Sequence, residues 1–91
     1  MCRNIHTLHN IDPPTTSEEI SSAALQFVRK VSGMQRPSRA NEAVFDETVD
    51  AVARATERLL VELVTAAPPR DREVEASRRR ARAAERFNRV A

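Results

Sequence analysis

Three sets of side chains in this chain of 91 residues have types and spacings that could do chemistry. The first is Cys2, His6 and His9. On a helix these would share one face at i, i+4 and i+7, and a thiolate with two imidazoles is a ligand set for zinc with a fourth position open. The same thiol becomes a nucleophile only with a base beside it, which His6 or His9 would have to supply. Asn10, Asp12 and the proline pair argue instead for an irregular arm, and no second Cys or His cluster follows. The reading favours a small thiol with two polar imidazoles at the surface, and no cofactor is expected.

The second set is a row of arginines. Arg78, Arg82, Arg86 and Arg89 recur at i, i+4, i+8 and i+11, flanked by Arg79 and Arg80. Guanidinium forks in that array suit a phosphate backbone. Against this stands a merely solvated face, because Glu75 can pair with Arg79 and Glu85 with Arg89 at i+4, and because arginine is itself a good helix former. The third set is Arg36, Ser38 and Arg39, placed where a helix begins and free amides attract anions. The connection they occupy is longer than that of a helix-turn-helix, so sequence-specific DNA reading has little support.

Composition limits what can carry these groups. The chain has no tryptophan or tyrosine and only three phenylalanines, Phe27, Phe45 and Phe87, so burial must rest on aliphatic residues between helices. A deep ligand pocket is disfavoured. One cysteine excludes an internal disulfide framework, and no leader pattern opens the chain, so a cytoplasmic setting is expected. The densest apolar stretch, LLVELV, is far shorter than the roughly 20 residues a bilayer needs. Charge is uneven: residues 33–69 carry four basic and six acidic groups, whereas residues 70–91 carry eight and four, net +4.

The elements that must position these groups follow from caps and periodicity. Residues 1–16 form an arm ending in DPPTT, where the prolines impose extended backbone. In TTSEEI, Thr16 caps the free amides and Glu19 reaches back, so a first helix is predicted over 17–32, with Gly33 as its left-handed stop and Arg29 and Lys30 in its last turn. Ser38 or Asn41 caps a long second helix over 39–66. Pro69 opens a basic third helix over 69–88 whose apolar stripe is thin. The predicted core is Ile20, Ala24, Phe27, Val31, Phe45, Val49, Val52, Leu59 and Leu63, with Ile5, Leu8 and Ile11 of the arm packed across the first two helices. Leu60, Val61 and Val64 lie off the main stripe of the second helix, which calls for several partners or a second subunit.

Four blocks of the chain, MCRNIHTLHNIDPP, AALQFVRKVSG, PSRANEAVFD and APPRDREVEA, form a pattern over nearly its whole length. In these the chain resembles a family of short bacterial proteins of uncharacterised role, domain of unknown function 2277. The resemblance implies a shared fold and carries no activity, cofactor or site residue. It departs at His6, where family members often carry Arg or Lys.

The expected protein is therefore all-α: one three-helix domain with an extended N-terminal arm and a long central helix. It is expected to be a non-catalytic interaction protein, homodimeric through the central helix. The alternatives are a nucleic-acid-binding accessory protein using Arg78, Arg79, Arg82, Arg86 and Arg89, or a metal- or thiol-dependent protein using Cys2, His6 and His9. A protein partner or self-association is expected, and no membrane.

Overall fold

A computed structural model of the chain describes residues 5–90, apart from the side chains at positions 89 and 90. Its elements are β1 (Ile11–Asp12), α1 (Ser17–Ser32), a short 3-10 turn (Arg39–Asn41), α2 (Glu42–Glu62), β2 (Arg70–Asp71) and α3 (Arg72–Val90). The architecture is mostly helical with a long central helix and one two-strand pairing. Where the sequence suggests one domain, the chain packs as two compact units. The first comprises the described residues up to His9 with Thr15–Thr65; the second comprises Asn10–Pro14 with the residues from Ala66 on.

In the first unit the ends of α1 are set locally. Thr16 is extended at φ −92° and ψ 161°; its Oγ1 accepts from the Glu19 amide at 3.2 Å while Glu19 Oε1 accepts from the Thr16 amide at 2.9 Å. This closes the capping box that TTSEEI predicts and satisfies two otherwise unpaired donors. At the other end Gly33 turns to φ 73°, and its N–H donates to the Arg29 carbonyl at 2.9 Å. A β-carbon is costly in that left-handed conformation, which is why glycine stands there.

α1 packs against α2. The buried line is Ile20, Ala24 and Val28 from α1, facing Phe45 from α2, with Val49, Val52, Thr56 and Leu60 half-buried along the same side. This corrects four members of the predicted core. Steps of four residues advance the buried face by about 40° each, so Val28 takes the place of Phe27, which is left at the edge and 45% exposed. Val31, in the last turn, is 66% exposed. On α2 the line reaches Leu60 and leaves Leu59 at 55% exposure; Leu63 stands past the helix end at 44%.

α2 has 21 residues and stops at Glu62, and Leu63 is already extended at φ −63° and ψ 135°. The β-branched residues Val61, Val64 and Thr65 cluster there, and they are poor helix formers against the preceding turn. The four further residues expected from periodicity do not continue the helix.

The second unit is organised around a parallel pairing of β1 with β2, Ile11 opposite Arg70 and Asp12 opposite Asp71. Ile11 therefore belongs to this pairing. Asn10 enters it at φ 55°, a conformation asparagine tolerates better than most residues. Its side-chain amide donates to the carbonyls of Ala67 and Pro68, each at 3.2 Å, and its own carbonyl accepts from the Arg70 amide at 2.8 Å. The Asp12–Pro13 peptide is cis. The Arg72 guanidinium donates to the carbonyls of Pro13, at 2.5 Å from Nε, and Pro14, at 2.8 Å from Nη2. The two proline segments of the sequence are thus clasped together. Because Arg70 and Asp71 are drawn into the pairing, α3 starts at Arg72 and not at Pro69. Asp71 is its cap, with Oδ1 accepting from the amides of Glu73 at 2.8 Å and Val74 at 3.1 Å.

Candidate functional site

The described residues leave two surfaces with chemical character. The first is the C-terminal end of α2. Ala55, Leu59 and Leu63 lie along a shallow groove whose outer edge is formed by Arg58 and Glu62. Those two pair with each other one turn apart, Arg58 Nε to Glu62 Oε2 at 2.5 Å, and both side chains remain largely in water. Val61, in the last turn of α2, and Val64, just past its end, are 76% and 95% exposed. A similar i, i+4 pair, Arg54 with Asp50, stands one turn earlier. Exposed pairs of this kind contribute little to stability; Thr56 and Leu60 of the same segment are half-buried.

The second surface is α3. Arg78, Arg82 and Arg86 fall on successive turns and all three are exposed, as is Arg80; Arg79 is half-buried. Glu75 meets Arg78 at i+3, loosely at 3.6 Å, in place of the i+4 pair with Arg79 that spacing suggests. Arg79, Arg80, Arg82 and Arg86 form no ion pair or hydrogen bond with another described residue. Arg89 belongs to the helix, and its side chain lies outside the described residues.

The other two predicted sets come out differently. In the connection after α1, Arg29 Nε donates to the Gln35 carbonyl at 3.0 Å and fixes the turn. Ser38 precedes the 3-10 turn, but its hydroxyl accepts from Asn41 Nδ2 at 2.8 Å and caps no amide. Arg36 and Arg39 project into solvent on either side of it. Of the metal set, Cys2 lies outside the described residues. His6 is exposed and His9 half-buried, and among the described residues no group of three His, Cys, Asp or Glu side chains comes together to hold a metal. His6 does line a second groove of about 260 Å³ with Ile5, Leu8, Ala24, Phe27 and Leu60, where the arm lies along α1 and α2. Thr15 Oγ1 donates to the Leu8 carbonyl at 2.6 Å and ties the arm there.

Asn10, Asp71 and Arg72, which build the clasp, are not singled out by sequence reasoning. The signal available was the two proline pairs, each with an aspartate within two residues; what it lacked was any indication that segments nearly sixty residues apart meet.

No described helix is long and apolar enough to cross a membrane. The fold and these surfaces define a small, mostly helical chain with polar and apolar faces. Over residues 1–78 it matches a family described as "Uncharacterized conserved protein (DUF2277)", and the chain belongs to that family. No curated protein and no solved structure matches it.

Proposed function

We propose that the protein is a non-catalytic interaction protein that pairs with a second copy of itself through the C-terminal end of α2. The observation that carries this reading is the exposure of Leu59 and Leu63 beside a self-complementary charged edge. Each exposed leucine gains about 25 cal/mol for every Å² of apolar surface removed from water, and four buried apolar side chains among the described residues make a small core for a stable monomer.

A second copy fits better than an unrelated partner because of the order of the charges. Two-fold pairing requires that residue i of one copy meet j of the other and j meet i. An antiparallel crossing centred at position 60 places Arg58 of each copy opposite Glu62 of the other and Leu59 opposite Val61, with Leu63 at the edge of the contact.

Sedimentation equilibrium across a hundredfold range of concentration tests the reading, roughly 1 to 100 μM being suited to interfaces of this modest size. A reversible dimer is expected for the natural chain, and a monomer of unchanged helix content for Leu59→Glu with Leu63→Glu. A natural chain that stays monomeric throughout would remove the basis of the proposal.

A further inference from the structure

We propose that the arginine row of α3 binds the sugar-phosphate backbone of duplex nucleic acid without reading its sequence. The site is independent of the self-association surface on α2. Arg78, Arg82 and Arg86 advance by one turn and about 40° at each step, so they form a gently winding line about 12 Å long at 1.5 Å per residue. All three are exposed, and Arg82 and Arg86 have no ionic or hydrogen-bonding partner among the described residues. Arg78 has only the 3.6 Å approach of Glu75. The acidic residues Glu73 and Glu75 sit in the first turn, at the end that favours negative charge, and the following turns carry one carboxylate, Glu85, among six arginines, so they are net positive.

Charge complementarity points to a polyanion, and the rest of the helix narrows the class. Fourteen of the fifteen basic residues in the chain are arginine, whose planar fork engages phosphate oxygens in pairs. An anionic membrane is the poorer fit: a helix lying in a lipid interface needs a bulky apolar face, and α3 between Arg72 and Asn88 offers only Val74 and Phe87 among alanines and Ser77. A single strand is also the poorer fit. Binding of unpaired bases relies on aromatic stacking platforms, and Phe87 is the sole aromatic of α3. A row of guanidinium groups with small neighbours suits the regular phosphates of a duplex.

The test is fluorescence anisotropy of a labelled duplex of mixed sequence and of the corresponding single strand, with the full chain, and co-sedimentation with phosphatidylserine-containing vesicles in parallel. With three phosphates engaged, affinity for the duplex should fall about 40-fold between 50 and 200 mM salt, and two unrelated duplex sequences should bind alike. Arg78→Gln, Arg82→Gln and Arg86→Gln together, which keep good helix formers in place, should abolish most of the binding and nearly all of the salt dependence. A charge-matched control, Arg36→Gln, Arg39→Gln and Arg54→Gln, should bind within a few-fold of the natural chain. Circular dichroism on both triple variants ensures that helix loss is not mistaken for loss of the site. The proposal is overturned by absence of duplex binding, by preference for the single strand or for vesicles, or by an equal loss in the control.

Discussion

Phe45 and Phe27 are chemically identical, and both belong to the core that helical spacing predicts, yet the fold treats them differently. Phe45 is 7% exposed against α1, whereas Phe27 is 45% exposed at the rim of a groove. Phe45→Ala should therefore cost about 3–5 kcal/mol, a large part of the stability of a domain this size. Phe27→Ala should cost less than about half of that, since much of its ring already meets water. Urea unfolding of the two variants checks the contrast; equal losses would mean that the α1–α2 contact is rotated from the one described. Ile20, Ala24 and Phe45 were legible as core from spacing alone, because any helix that buries a face must bury them. Val28 against Phe27, and Leu60 against Leu59, were not. Each choice turns on about 100° of rotation, which is fixed by the partner helix and not by the segment's own sequence.

Element boundaries divide in the same way. The start of α1 at the Thr16–Glu19 box and its stop at Gly33 were readable because both ends are settled by hydrogen bonds within a few residues. The start of α3 was not, since Arg70 and Asp71 obey the pairing with Ile11 and Asp12, which lie far away in the sequence. That pairing makes Asp71 the cap. Asp71→Ala should destabilise α3 by about 1 kcal/mol, and Asp71→Asn by much less, because asparagine caps as well as aspartate does. Hydrogen exchange at the Glu73 and Val74 amides reports this directly: faster exchange is expected in the alanine variant and near-normal exchange in the asparagine variant. Unchanged rates in both would show that the cap does not hold the helix start.

For the whole chain, the balance of surfaces matters more than any one pocket. Large apolar side chains left in water, among them Val44, Leu59, Val61 and Val64 on and after α2, outnumber those fully buried among the described residues. The proposed self-association would remove part of this surplus apolar surface from water. The family match spans this α2 surface and the clasp and ends at Arg78, so most of the arginine row lies beyond it. The apolar end of α2, the surface proposed for self-association, lies within the matched residues. The off-stripe residues of RLLVELV were Leu60, Val61 and Val64; Val61 and Val64 are indeed exposed, but Leu60 is half-buried, and the groove beside Arg58 and Glu62 is lined by Leu59 and Leu63, which spacing assigned to the core. The most direct measurement is a charge-swap cycle on the dimer dissociation constant. Arg58→Glu and Glu62→Arg should each weaken the dimer about tenfold, on the order of 1.4 kcal/mol, by facing like charges across the crossing. The double swap, which restores opposite charges in reversed order, should recover the natural affinity. A double variant as weak as the singles, or singles indistinguishable from the natural chain, would contradict antiparallel pairing through α2.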